Sequence, residues 1–524
     1  MVNQQVNFRT VWRLDVNKGK VYLIGAGPGD PGLITLKGIQ CLQKAEVVIY
    51  DHLVSDEILN YAKTTVRMIY AGKEGGKHTL TQDQINQALV TEAEKGLTVA
   101  RLKGGDPFIF GRGGEEVEIL AERGIPFEVV PGVSSAVAVP AYAGIPLTHR
   151  SHSSTVAFIT GHEDPTKDES HIDWQSLSGI ETLVFLMGVK NLPNITASLI
   201  AAGKSPTTPA ALIRWGTTPE QETLTGTLAD LAELAKAQGF KPPSILVVGS
   251  VVSLRPVLNW FETKPLFGKG IVITRPEAQT EEFLNLLHGE GARAYLFPTI
   301  QIAPPADFQD LDQALQHITD YHWLIFTSAN AVRFFFQRLN GSPKDLRDLK
   351  GILLCTIGPT TAREVEKYGV KVDLVPDTFT SEGILEAFGD HDLNGLNILV
   401  PRAEKARDVL PRGLGKAGAK VDCVTAYRAI SSGRKKEELD SWIKEGLVDV
   451  ITFTSPSTVE NFVKIMGSDY TLPSEIKIAC IGPVTAEATR KAGLPVDILQ
   501  ERYTVPALIA RLVEYFGSSS ARRT

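Results

Sequence analysis

VYLIGAGPGDPGLITLKGIQCLQKAEVVIYD, residues 21–51, sets the class of the fold. VYLIGAG (21–27) is a nearly unbroken apolar run, LITLKGIQCLQKA (33–45) spaces its apolar residues as an amphipathic helix does, and EVVIYD (46–51) is apolar again. Buried strands feeding helices in alternation predict an α/β chain with largely parallel sheets. The pattern breaks at SVVSLRPVLNWFETKPLFGKG (250–270), where two prolines and two glycines precede a fresh strand, IVITRP (271–276). A chain of 524 residues also exceeds what one hydrophobic core organises. The sequence therefore reads as a tail (1–19), a first domain (20–256), a linker (257–267), a second domain (268–516) and a short tail (517–524).

Composition narrows the function. Net charge is −6 and no Lys/Arg-rich run occurs, which argues against nucleic acid as a partner. An anionic small substrate remains open, because local pockets bind it. Cys41, Cys355, Cys423 and Cys480 stand far apart, without a CxxC pair or histidines at ligand spacing, so reduced thiols and no metal are expected. No apolar run reaches the roughly 18 residues a membrane helix needs, and residues 1–20 lack a signal-peptide core. A cytoplasmic enzyme without a membrane partner is the expectation.

The second half repeats itself. FTSANAVRFFF (326–336) recurs 127 residues on as FTSPSTVENFV (453–463), and IGPTTAREVEKYG (357–369) recurs 124 residues on as IGPVTAEATRKAG (481–493). VITRPEAQ likewise matches LVPRAEKA, bringing Arg275 onto Arg402. Two similar α/β lobes with a cleft between them follow. In each repeat a strand leads through Ser, Thr or Gly into a helix, whose free N–H groups can receive an anion; the same residues also serve as ordinary helix caps.

In the first half, GAGPGDPG (25–32) between strand and helix invites comparison with a dinucleotide loop, and Asp51 follows at a suitable distance. Pro28 and Pro31, however, stand where a pyrophosphate would need N–H groups. A loop packed against a sulfonium cation loses nothing by their absence. RLKGGDPFIFGRGGEE (101–116) holds five glycines, two arginines and three acids, the composition of a binding loop more than of a plain turn. Thr81 and Gln84 have the spacing of a capping box.

VYLIGAGPGDPGLITLKG, VVIYDHLVS, AGKEGGKHTLTQDQIN, RLKGGDPFIFGRGGEE, PGVSSAVAVPAYAGIPLTHR and ALIRWGTTPEQ, in that order, resemble the uroporphyrinogen-III C-methyltransferases. The resemblance implies a bilobal, non-Rossmann fold, a homodimer, and S-adenosylmethionine bound between the lobes. Carried onto this chain, the cofactor contacts are Pro28, Gly104, Gly105, Asp106, Ile109, Ser134, Ser135, Met187 and Gly216. The family usually has alanine where Ser135 stands. Methyl transfer needs alignment more than acid–base power, but the product must shed or shift a proton. The resemblance gives those roles to Asp51 and Lys73; Asp51 also fits a helix cap after a strand. Arg112, His149 and Arg150 are candidates for gripping substrate carboxylates, or for salt bridges within the fold.

VITRPEAQ, WLIFTSANAV, CTIGPTTA, LVPRAEKARDVLP, VDCVTAYRA, ITFTSPSTVENF, IACIGPVTAEA and YTVPALI resemble uroporphyrinogen-III synthase. That implies two α/β lobes, discontinuous in sequence and joined by a two-stranded ladder, which close hydroxymethylbilane to uroporphyrinogen III without a cofactor. Tyr427 matches the tyrosine suggested as acid for the departing hydroxyl, or is a buried core phenol. Thr327, Ser328, Thr454, Ser455 and Thr485 are expected to bind substrate. The two halves then read as consecutive steps of tetrapyrrole synthesis ending at precorrin-2, toward siroheme or cobalamin. Three other readings stay open: a later precorrin methyltransferase, an NAD-linked oxidoreductase, and a second half that binds tetrapyrrole without catalysis.

Overall fold

Apolar runs become the central strands of four five-stranded sheets in a computed structural model that describes residues 18–72, 80–161, 172–389, 391–500 and 502–520. The chain divides into two compact units, the first running to Lys269 and the second starting at Gly270, with segments 287–293 and 516–520 grouped with the first. Part of the stretch read as a linker is built into the first unit. Trp260 Nε1 donates to the Ala141 carbonyl (3.0 Å), and Phe261 packs edge-on to Tyr142.

The first unit opens with β1 (Val21–Gly25), β2 (Val47–Tyr50), β3 (Arg67–Tyr70), β4 (Val99–Lys103) and β5 (Phe127–Val130). They form an all-parallel sheet in the order β3-β2-β4-β1-β5. Alternate residues point to opposite faces. Val21, Leu23, Ile49 and Val99 pack with Ile85, Leu89 and Leu120 from helices Gln82–Glu94 and Gly113–Glu122. Ile24, Val48, Ala100 and Leu102 pack with Cys41 and Leu42 of helix Leu36–Leu42 on the other face.

A second sheet follows from β6 (Val156–Thr160), β7 (Thr182–Leu186), β8 (Pro209–Arg214), β9 (Glu222–Thr227) and β10 (Ser244–Val248), in the order β6-β7-β10-β8-β9. Here the expectation of largely parallel sheets fails. Only β6 and β7 pair in parallel; β10 runs antiparallel to β7 and β8, and β8 to β9. Residues 215–221 are too short a connection for a crossover helix, so they return the chain beside itself.

The second unit contains β11 (Gly270–Ile273), β12 (Arg293–Leu296), β13 (Ile300–Ala303), β14 (Trp323–Phe326), β15 (Leu353–Thr356), β16 (Asn397–Ala403), β17 (Lys420–Ser431), β18 (Val450–Phe453), β19 (Lys477–Cys480) and β20 (Ile498–Leu499). One lobe takes the order β12-β11-β18-β19-β20 and the other β13-β17-β16-β14-β15. The first of these lobes is thus assembled from two separate stretches of chain. β13 pairs antiparallel with β17, from Ile300 opposite Ser431 to Ala303 opposite Arg428, and this ladder joins the lobes. Each lobe has its own aromatic core, Phe326, Phe335 and Phe336 in one and Phe297, Phe453 and Phe462 in the other. Among the described residues no helix is long and apolar enough to cross a membrane, and no group of three metal-binding side chains assembles.

Candidate active sites

β1 and β4 are neighbours, yet the helix after β1 covers one face of the sheet and the helix after β4 covers the other. Their C-terminal ends therefore open into the crevice that such a switch in direction creates. Both glycine loops lie there. Gly105 N donates to Gly27 O (2.7 Å) and Gly27 N to Gly105 O (3.2 Å). Asp106 anchors a third loop, its Oδ2 accepting from Gly132 N (3.0 Å) and its Oδ1 from Phe108 N (2.8 Å). A Cβ on Gly25 would fall 2.5 Å from Gly132 Cα, so these loops meet backbone to backbone, which only glycine permits. From the second sheet, Thr217 Oγ1 accepts from Asp30 N (3.1 Å), while Tyr142 Oη donates to Asp30 Oδ2 (2.6 Å).

These contacts bring Pro28, Gly104, Gly105, Asp106, Ser134, Ser135 and Gly216 to one place. A Cβ on Gly29 would meet Gly216 O at 3.3 Å, and one on Gly105 would sit 3.7 Å from Ser135 N. Ser134 caps the helix Ser135–Tyr142. Ile109 lies in the turn after Asp106, and Met187 stands half-exposed at the end of β7. Backbone strain marks the same motifs. Among the described residues the non-glycines with left-handed φ are Phe110, Arg112, Met187, Trp215 and Thr217, all within or beside these loops.

The donor set fits a cationic nucleoside better than a pyrophosphate. None of the nine residues expected to touch the cofactor carries a positive charge, and Pro28 offers no N–H. The first α-helix after β1 begins only at Leu36, behind a single 3-10 turn at Pro31–Leu33 that Asp30 caps, and its own N-terminus is capped by Thr35, whose Oγ1 accepts from Gly38 N (3.0 Å). A dinucleotide loop would leave that helix end free for phosphate.

Beside the crevice lies a buried cluster of charge that sequence reasoning missed. Arg101 and Lys103, two apart on β4, point to the same face. Glu116, from the first turns of helix Gly113–Glu122, meets both: its Oε1 accepts from Arg101 Nε (3.2 Å), Lys103 Nζ (2.9 Å) and Gln82 Nε2 (3.2 Å). Arg101 Nη2 continues to Asp51 Oδ1 (2.7 Å) at the end of β2. Arg101, Lys103 and Glu116 are buried, and Asp51 is the member that reaches the surface. Burial first, then the Arg101 charge, hold the Lys103 ammonium below its ordinary range. Arg101 and Glu116 are the first and last residues of RLKGGDPFIFGRGGEE; the signal available was two charges in an otherwise apolar strand.

Asp51 is no helix cap, since the next helix, Asp56–Leu59, begins at Ser55. Lys73 lies outside the described residues. Arg112 makes a two-pronged pair with Glu115, Nε to Oε1 at 2.8 Å and Nη2 to Oε2 at 2.6 Å. His149 and Arg150 are exposed; His149 Nδ1 accepts from Ser151 N (3.2 Å).

In the second unit Ser328 caps helix Ala329–Asn340, accepting from Ala331 N (3.1 Å), and its Oγ lies 3.1 Å from Tyr427 Oη. Tyr427, half-buried on β17, stacks on Phe334. Ser455 caps helix Pro456–Met466 in a reciprocal box with Thr458. Thr327 and Thr454 are half-buried just before these caps, and Thr485 is buried in the first turn of helix Pro483–Lys491. The FTS starts are therefore capped by their own serines. The IGP starts are not: helices Pro359–Glu366 and Pro483–Lys491 follow Gly358 and Gly482 and receive no side-chain cap. Gln279, after β11, donates to Asn330 on helix Ala329–Asn340 (2.9 Å), so the loops at the strand ends of the two lobes face each other.

Comparison with known proteins agrees with both halves. Residues 20–232 match the family model for tetrapyrrole (corrin/porphyrin) methylases, and residues 281–510 that for uroporphyrinogen-III synthase HemD. A porphyrin biosynthesis protein HemD of Ruminiclostridium josui is 39% identical over 96% of this chain and 99% of its own length. An S-adenosyl-L-methionine-dependent uroporphyrinogen III methyltransferase of Methanosarcina barkeri is 53% identical over 46% of this chain and 96% of its own length. A uroporphyrinogen-III C-methyltransferase of Bacillus subtilis is 39% identical over 69% of this chain and 74% of its own length. Matched by one model in each half and by a relative along nearly its whole length, the chain belongs to the family in which a tetrapyrrole methylase is fused to a uroporphyrinogen-III synthase.

Proposed function

We propose that this chain closes hydroxymethylbilane to uroporphyrinogen III in its second unit and methylates that product twice in its first, yielding precorrin-2. The observation that carries the reading is the convergence of three glycine loops and RWGTT on one crevice lacking a phosphate cradle. Pro28, Gly104, Gly105, Asp106, Ile109, Ser134, Ser135, Met187 and Gly216 would hold S-adenosylmethionine there. When bound, it supplies an electrophilic methyl group. The chain orients the acceptor and moves the proton: Asp51, oriented by Arg101 at 2.7 Å, is the proposed base. Lys73 is assigned as acid by resemblance alone.

In the second unit the hydroxymethyl group departs as water while the ring closes. The Tyr427 phenol, 3.1 Å from Ser328 Oγ, is the proposed donor to that oxygen. The uncapped helix starts at Gly358 and Gly482 favour carboxylates of the substrate. We further propose a cytoplasmic homodimer formed through the first unit. Val257, Leu258 and Trp260 expose apolar surface suited to a second copy.

The test is the intact chain given hydroxymethylbilane and S-adenosylmethionine, with products resolved by mass and isomer. Precorrin-2 is the expected product. Uroporphyrinogen I alone, the spontaneous isomer, would refute the assignment of the second unit; unmethylated uroporphyrinogen III would refute that of the first.

A further inference from the structure

We infer that Arg275 is the core of a carboxylate-binding subsite at the gap between the two lobes of the second unit, with Arg333, itself paired with Glu364, adding positive charge from the other lobe; the inference rests on reading that unit as a tetrapyrrole ring-closing enzyme. Arg275 follows β11 on one lobe, and its Nε donates to Gln279 Oε1 (3.0 Å). Gln279 donates onward to Asn330 Oδ1 on the other lobe (2.9 Å). Arg333 lies one helical turn beyond Asn330, on the same side of helix Ala329–Asn340. A single chain of contacts thus leads from one guanidinium across the gap to the helix that carries the other.

Arg275 combines a missing counter-ion with partial burial. Arg333 grips Glu364 (2.8 Å), Arg338 grips Asp312 (2.6 Å), Arg402 grips Asp408 (2.9 Å) and Arg434 grips Glu438 (2.6 Å). Arg275 is half-buried, and among the described residues no carboxylate forms an ion pair with it. Burial weakens its hold on the proton; the negative charge of Glu282 opposes this without forming an ion pair, and the positive charge of Arg333 adds to it. A guanidinium partly removed from water without an anion is unfavourable, and a like charge across the gap makes it more so. A ligand carboxylate placed on Arg275 supplies the missing anion, and its two oxygens match the Nη fork that Gln279 leaves open.

The internal repeat sharpens the point. Arg402 occupies the equivalent position in the other lobe, but Asp408 already holds it. Two nearly matching lobes therefore present one guanidinium with a counter-ion and one without. A linear tetrapyrrole has two different ends, and this asymmetry lets the scaffold tell one from the other.

The test compares the full-length chain with Arg275→Gln, Arg275→Lys and Arg333→Gln. Arg275→Gln is expected to raise KM for hydroxymethylbilane about tenfold, the effect of losing one charge-assisted contact, with kcat within about threefold. Arg275→Lys should recover part of the loss, and Arg333→Gln, whose guanidinium Glu364 already holds, should raise KM less than Arg275→Gln does. The melting transition of the second unit should match the wild type, showing that the variants fold. An unchanged KM in both glutamine variants overturns the subsite. If the wild-type chain closes no hydroxymethylbilane, the ring-closing reading itself falls. The shift that uroporphyrin III gives to the melting transition of the second unit then decides the subsite: a smaller shift in Arg275→Gln upholds it, and an equal shift overturns it.

Discussion

Glu116 accepts three hydrogen bonds on one oxygen and none on the other, Oε2, which is buried without a partner. Among the described residues it is the one carboxylate that pairs with both cations, Arg101 and Lys103; Asp51 holds Arg101 from the rim. Removing its charge leaves a buried lysine and a half-compensated arginine. Glu116→Gln is expected to destabilise the first unit by about 3–5 kcal/mol, read from urea unfolding. Glu128 offers a test by pH. Lys20 and Lys37 hold its carboxyl down at about 2, against an ordinary 4.5. The folded state then binds fewer protons than the unfolded one, so the pair's contribution is complete above pH 4.5 and disappears as pH falls toward 2. Unfolding free energies of wild type and Glu128→Gln should accordingly differ at pH 6 and converge on acidification. A constant difference would assign the effect to packing.

At the scale of elements, helix starts carry most of the candidate chemistry, and they differ in what occupies them. Ser328 both caps its helix and meets Tyr427 (3.1 Å), so Ser328→Ala removes a cap and a phenol partner together. The cap alone is worth about 1 kcal/mol. A fall in ring-closing rate well beyond that stability change, with methyl transfer intact, is the expected outcome; equal kinetics would make Ser328 structural only. Much of this was legible in the sequence because caps are local. Thr81 and Gln84 make the reciprocal box their spacing announces, and the repeated FTS and IGP motifs do begin helices. What could not be read is set by partners far along the chain. The antiparallel run of β10 depends on which strands flank it, and Arg101 finds Asp51 and Glu116 only once β2, β4 and a helix are packed. Trp260 and Phe261 looked like linker residues because their contacts, Ala141 and Tyr142, are over a hundred positions away.

For the whole molecule, the alternation of strands and helices, the order of the two halves and the pairing of lobes in the second followed from pattern and repeat. Each unit has hydrophobic clusters of its own. Calorimetry is therefore expected to resolve two transitions, with S-adenosylhomocysteine raising only the one that belongs to the first unit. A single transition that moves as a whole would show the units melting together.

The ladder of β13 and β17 has one more consequence, for the growing chain. β11 and β12 leave the ribosome before the whole lobe built from β13 to β17, and β18, which covers β11's other edge, leaves after it. For a time on the order of ten seconds at ordinary elongation rates, a fully apolar strand must wait with one edge bare. Nascent chains halted in that interval are where a chaperone should be found.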